Sequence, residues 1–222
     1  MFAVIFEVQP KADRWQDYLE LAAQLRPELL RVEGFIDNER FRSTRNEGRV
    51  LSLSIWEDEK ALIRWRTNAG HHGVQEQGRF AVFEDYHLRV GEITADTDLP
   101  PGTRLPEQRF DTTAAGNAKV VTISELAGTD HEAPDAAALL EQLRVPVTGG
   151  AGAVASEAFT SITTPGKTLL LVSWRTADAL AAWQPPTTLG GNRLRHRQVR
   201  VIRDYGLADR REAPQYYAPV TR

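Results

Sequence analysis

A chain of 222 residues, 41 % hydrophobic and 26 % charged with a formal charge of −3, has the makeup of one large globular domain or two of about 100 residues each. So weak a charge offers no hold on nucleic acid or an acidic membrane surface, no apolar run reaches the roughly 20 residues that span a bilayer, and the first residues lack the basic flank and cleavage site of a secretory leader. With no cysteine, disulfides, thiolate metal sites, iron–sulfur clusters and a thiol nucleophile are excluded, and the expectation is a cytoplasmic protein whose chemistry rests on His, carboxylates, Tyr, Trp, backbone or a bound cofactor.

In chain order, "FAVIFEV" from Phe2 is a β-branched and aromatic run of strand length. Trp15, Tyr18, Leu19, Ala22, Leu25, Leu29 and Val32 then recur at helical steps, which predicts an amphipathic helix, with Pro27 predicting a kink or break after Arg26. "GFIDNERFRS" and "RVLSLSIW" flank "TRNEG", a hairpin with glycine at the turn. "EDEKALIRWRTNAGHHGVQEQGR" returns to helical spacing and "FAVFEDYHLRVGEI" closes as a strand. The order βαββαβ predicts an α+β, ferredoxin-like unit: an antiparallel sheet with both helices on one face. In "VLSLSIW", Leu51, Leu53 and Ile55 are expected under the helices. Val50, Ser52, Ser54 and Trp56 form a mixed face suited to a ligand cavity between two facing sheets.

The second sheet comes from the same chain. Displaced by 118 residues, Gln24-Leu25-Arg26 meets Gln142-Leu143-Arg144, and Gly34, Glu39 and Phe41 meet Gly152, Glu157 and Phe159. Trp56, Ala61, Leu62 and Trp65 meet Trp174, Ala179, Leu180 and Trp183. About eighteen identities fall between residues 2 and 65 without a gap, where unrelated sequence gives about four. The expected organisation is a first unit at 1–93, a Pro-, Thr-, Asp- and Gly-rich linker at 94–118, and a second, degenerate unit at 119–222 ending in the tail "RREAPQYYAPV", which wraps across the partner repeat or a second chain. Beyond Trp183, matching Asp85-Tyr86 to Asp204-Tyr205 requires one inserted residue and puts Gly190 in the place of His71. "QPPTTLGG" there argues against a long second helix. The second unit is therefore expected to complete the barrel, and the first to hold the active pocket.

Residues 2–92, and most specifically the run from Trp65 to Tyr86 with its W-R-x-x-x-x-H-x-x-x-Q-x-x-G-R pattern followed by Asp85-Tyr86, resemble the antibiotic biosynthesis monooxygenase superfamily of dimeric α+β barrels. Residues 119 to about 207 resemble it more weakly. The resemblance implies two tandem ferredoxin-like units pairing as a covalently linked pseudo-dimer, open to further homodimerisation. It also implies a function drawn from cofactor-independent oxygenases of quinols and polycyclic aromatics, haem-binding or haem-degrading proteins, and members with no known activity.

The candidate site centres on His71 and His72. The family's recurrent histidine falls on His71, and neutral imidazole serves as base, hydrogen-bond partner or iron ligand. Consecutive helical residues point about 100° apart, so one of the two is expected to face a cavity. Trp56 and Trp65 are candidate lining residues, with packing as their alternative reading. Gln75 and Arg79 share the helical face of His71 and suit a carboxylate or phenolate. The haem-degrading members' first-strand Asn is replaced here by Val4, which weakens haem cleavage, while His71 or His72 remains an axial-ligand candidate for haem iron. His72 and Glu76 form an i,i+4 pair without an evident third zinc ligand. The leading expectation is a small-molecule oxygenase, cofactor-free, in which His71 or His72 deprotonates an aromatic or quinol-like substrate and Arg79 or Trp56 holds the anion. The alternatives are a histidine-ligated haem protein and a non-catalytic ligand-binding barrel.

Overall fold

The computed structural model describes residues 1–127, 136–146, 148–149, 152–218 and 220. The first unit runs β1 (Phe2–Pro10), α1 (Trp15–Leu29), β2 (Phe35–Ser43), β3 (Val50–Trp56), α2 (Glu59–Arg66), α3 (Ala69–Gln77), a π-helical turn (Gly78–Val82) and β4 (Phe83–Asp96). The second runs β5 (Val120–Leu126), α4 (Ala136–Gln142), β6 (Ala153–Ser161), β7 (Thr168–Trp174), α5 (Ala177–Ala181), β8 (Thr188–Leu189) and β9 (Asn192–Gly206). No helix among the described residues is long and apolar enough to cross a membrane.

The strands join in the order β4-β1-β3-β2-β6-β7-β5-β9, and β9 pairs back onto β4, closing an eight-stranded antiparallel barrel. Both joins between the units are pseudo-symmetric. On one side Phe41 pairs with Ser161 and Ser43 with Phe159. On the other, Gly91 pairs with Val201 and Ile93 with Val199. Side chains repeat the exchange: Ser43 donates to Glu157 (2.5 Å) and Ser161 to Glu39 (2.6 Å), while Arg49 meets Glu157 at 3.3 Å and Lys167 meets Glu39 at 2.5 Å.

The barrel interior is filled. Ala3, Ile5, Phe41, Leu51, Leu53, Ile55 and Ile93 interdigitate with Val121, Ile123, Phe159, Leu169, Leu171, Val199 and Val201, all buried. This corrects the expected face assignment: Leu51, Leu53 and Ile55 point to the opposite unit and not to the helices. The mixed face of Ser52, Ser54 and Trp56 lies under the helices. Both faces are covered by another layer, so alternation alone does not tell which layer covers which.

Three local expectations also shift. Helix α1 passes through Pro27 and ends at Leu29, with Leu30 N–H returning to the Arg26 carbonyl at 3.1 Å. The single second helix is two, because Asn68 caps a new start by accepting from His71 N–H at 2.9 Å. Strand β4 continues to Asp96, inside the range read as linker. The linker itself is tied down, since Gln108 and Arg109 N–H groups donate to Glu92 at 2.6 and 3.1 Å.

The larger correction concerns the end of the second unit. Phe2 pairs with Glu92, and Val120, its counterpart, pairs with Arg200, so β9 corresponds to β4 at an offset of 108 residues and not 119. The second unit therefore lacks about ten residues between Trp183 and Leu194 relative to the first. The missing stretch corresponds to α3 and the π-helical turn.

Each unit also has a glycine pressed under its second helix. Gly34 (φ 82°) would place a Cβ 2.7 Å from Ala61 Cβ, and Gly152 (φ 146°) would place one 2.4 Å from Ala179 Cβ. Their carbonyls accept from Glu57 and Arg175, each at 2.8 Å. Gly34→Ala meets both a left-handed backbone and this contact, and is expected to cost about 1–3 kcal/mol, read as a lower urea midpoint at unchanged m-value.

Candidate functional site

A cavity of about 220 Å³ lies in the first unit between the helix-facing side of the sheet and α1, α2 and α3. Its floor is Val4, Phe6, Ser52, Ser54, Leu88 and Val90, and its roof includes Leu21, Leu25, Leu29, Leu62 and Val74, so most of the wall is apolar. Pro214, Gln215 and Tyr217 of the C-terminal tail complete it, so the tail wraps back onto the first unit. The chamber is thus outside the barrel, and the expectation of a cavity between the two sheets is corrected.

In the second unit described side chains pack into the corresponding space. Leu139, Leu143, Leu170, Val172, Trp174, Leu180, Trp183 and Leu194 pack into one cluster, and Trp183 donates to the Leu143 carbonyl at 2.8 Å. With no helix matching α3, Trp183 swings onto Trp174 (5.3 Å between centroids), while Trp65 in the first unit stacks on His71.

His71 sits in the first turn of α3, its backbone N–H held by Asn68. Its ring lies flat on Trp65, 4.2 Å between centroids at 13°. Nδ1 is 3.0 Å from the Trp65 carbonyl, which can only accept, so Nδ1 carries the proton and Nε2 is left as the acceptor. Burial is the main cause that lowers the His71 pKa to about 4; it outweighs the carbonyl hydrogen bond, and neighbouring His72 lowers it further. At neutral pH the imidazole is uncharged.

Gln75, one turn on, reaches Nε2 of His71 with its amide nitrogen at 3.5 Å and accepts from the Tyr217 hydroxyl at 3.1 Å. His72 is exposed and outside the cavity wall. It stacks on Tyr217 (5.5 Å, 20°), with its Nδ1 3.0 Å from that hydroxyl. Arg79, only 3 % exposed, donates to the Tyr86 hydroxyl at 3.3 Å, and Arg210 of the tail donates to the same oxygen at 2.5 Å.

Of the residues singled out from sequence, His71, Trp65, Gln75 and Arg79 therefore line one cavity. Two do not join them. Trp56 is fully buried, donates to Ser54 Oγ at 2.9 Å and packs on Phe35 at 5.3 Å, which is a packing role; His72 reaches the cavity only through Tyr217. Sequence reasoning did not place Tyr18, Arg40, Arg66, Tyr205, Arg210 and Tyr217 on the wall. Tyr205 carried a signal in its match to Tyr86, though for another reason: it pairs across the seam with Leu88 and faces the same cavity. Burial, then the neighbouring Tyr86, pushes the Tyr205 hydroxyl up to about 12, so it stays a neutral donor.

Haem does not fit these residues. His72 lies outside the cavity, whose volume of about 220 Å³ falls below even the 300–1,000 Å³ typical of drug-sized sites. Among the described residues there is also no group of three His, Cys, Asp or Glu placed to hold a metal ion.

Comparison with known proteins gives a consistent picture. Residues 1–77 match the family model described as antibiotic biosynthesis monooxygenase. The chain is 40 % identical over 225 residues to "Jasmonate monooxygenase ABM" of Pyricularia oryzae (strain 70-15), covering 100 % of both. It is 29 % identical over 92 residues to "Uncharacterized protein YqjZ" of Bacillus subtilis (strain 168), covering 41 % of this chain and 78 % of that one. Among solved structures, an aldoxime dehydratase (OxdRE) in complex with butyraldoxime superposes with TM-score 0.61 at 13 % identity. It covers 90 % of this chain and 79 % of the other, a likeness of fold alone.

Because the folded chain protonates His71 far less readily than the unfolded chain, His71 contributes stability that is fully present above about pH 6.5 and is lost as pH falls toward 4. The wild type is expected to lose on the order of 2–3 kcal/mol more than His71→Gln between pH 7 and pH 4, measured by urea unfolding at both values.

Proposed function

This chain belongs to the antibiotic biosynthesis monooxygenase family, and from that premise we propose that it oxygenates a small, largely apolar, ring-bearing substrate in the cavity of its first unit, without a cofactor. The observation that carries the reading is a mostly apolar cavity whose wall presents both a neutral imidazole with Nε2 as acceptor and a buried guanidinium. The aromatic or quinol-like class expected from sequence suits such a wall. The full-length relative named for jasmonate adds a second candidate, a cyclopentanone carboxylate. Both classes carry a hydrogen made acidic by a ring oxygen.

The chemistry follows from that acidity. His71 Nε2 takes the proton, and the delocalised anion left behind raises the imidazole's proton affinity, offsetting the low pKa that burial imposes. Arg79, with Tyr86 fixed against it, supplies fixed positive charge where water is scarce and so strengthens the interaction with the anion. The anion gives an electron to O2, the two radicals combine to a carbon-bound peroxide, and loss of water leaves a carbonyl. For an activated methylene the balance is CH2 + O2 → C=O + H2O, with all electrons coming from the substrate. Trp65 and Gln75 hold the imidazole in the plane and tautomer this requires.

Oxygen uptake by the purified chain with jasmonate, a naphthohydroquinone and an anthrone tests the reading. One atom of ¹⁸O2 is expected in the product and one in water, with kcat reduced about 10²–10³-fold in His71→Ala. Binding of these compounds without oxygen uptake would leave a ligand-binding barrel in place of an enzyme.

A further inference from the structure

We infer that the tail-side end of the cavity is a carboxylate subsite, in which Arg66, Arg79 and Arg210 hold the anionic end of an otherwise apolar acid. This rests on the reading of the cavity as the substrate chamber, and it names the class of substrate. Six arginines line the cavity against a single carboxylate, Glu59, and that carboxylate is already held by Arg109 at 2.7 Å. Among the described residues, none of the six has a carboxylate within ion-pair distance.

The contrast with the barrel seams is sharp. There the buried Arg89 is matched by Glu7, and Arg197 by Glu125 and Asp96. Arg79 is as deeply buried as Arg89, yet its partners are the neutral Tyr86 hydroxyl and the Ala218 carbonyl, at 3.3 and 3.5 Å. The Nε atoms of Arg79 and Arg66 are buried with no hydrogen-bond partner, as is that of Arg89, but Arg89 alone of the three has a carboxylate on its other nitrogens. A buried guanidinium is a planar, permanently charged donor fork, and what satisfies it is a planar anion accepting two bonds. Arg210 gives its hydrogen bonds to two neutral oxygens, Tyr86 Oη and the Gln215 carbonyl, and otherwise faces the Tyr205 and Tyr217 rings at 5.4 and 5.3 Å, so no carboxylate balances its charge.

The three sit at one end. Gln215 donates to the Arg66 carbonyl at 3.3 Å and accepts from Arg210 at 2.8 Å, and Arg79 meets Arg210 across the Tyr86 hydroxyl. Arg40, which also has a buried unpartnered Nε, stands on β2, three strand spacings or roughly 14 Å across the sheet from β4. Of the two strands between, β1 gives the floor its apolar Val4 and Phe6, and β3 gives Ser52 and Ser54. The cavity therefore has the polarity of a fatty-acid-like or ring-bearing monocarboxylate, with its charged group under the tail.

Calorimetric titration of the full-length chain with jasmonate against methyl jasmonate, and decanoate against methyl decanoate, tests this independently of oxygen chemistry. Each acid that binds is expected to bind at least about 10-fold more tightly than its ester. In Arg66→Gln and Arg79→Gln that preference is expected to shrink toward unity, with ester affinity kept in Arg66→Gln. Should Arg79→Gln not fold, the acid-against-ester comparison in the wild type and in Arg66→Gln still decides. The inference is overturned if neither acid binds more tightly than its ester, or if the preference survives in a folded Arg66→Gln chain. An acid preference without oxygen uptake would sustain the subsite while removing the oxygenase reading.

Discussion

The structure depends on one constraint: neither four-stranded sheet can leave its leucine-rich face in water. Each unit presents Leu51, Leu53 and Ile55, or Leu169 and Leu171 at the matching positions, and only the opposite unit can cover them. Closing the barrel also removes every edge that an open sheet would expose at β2, β4, β6 and β9. The seams are fixed by charge as well as by backbone. Glu39 and Glu157 reach across to the other unit's serine, and a misregistered pairing would bury both carboxylates without partners.

Once the inner face is committed to that core, any chamber must lie on the outer face, under helices. There the two units part company. The first has α1, α2 and α3 to wall off a space; the second lacks about ten residues at the position of α3, and its Trp183 and Leu143 close the gap. The chamber's place in the first unit thus follows from a length difference and a packing response to it. Within the chamber, the Asn68 cap sets the start of α3, which puts His71 over Trp65 and Gln75 one turn beyond.

Much of this was legible in the sequence. The 118-residue offset, the βαββαβ order and the pairing of tryptophans were readable because they are local or self-referential patterns. The histidine, glutamine and arginine on one helical path were readable from spacing. The inner and outer faces of β3 were not, since both are buried and leucine alternating with serine fits either assignment. Nor was the deletion before β9, because the repeated Asp-Tyr pair suggested an alignment that strand register overrules. Arg66, Arg210, Tyr205 and Tyr217 come together only through tertiary folding, the last three from the second unit and its tail.

The tail's place over the chamber has a further consequence. In an assembly of two identical chains, every substitution in a covering segment is made twice, and both pockets must tolerate it. Joining the halves frees Arg210, Gln215 and Tyr217 from that coupling, since they cover one pocket only and have no twin to serve. The lining contributed by the second half can therefore drift toward a new ligand while the floor of β1, β3 and β4 stays fixed. Among fused chains of this architecture, variation in ligand preference should concentrate after the last strand.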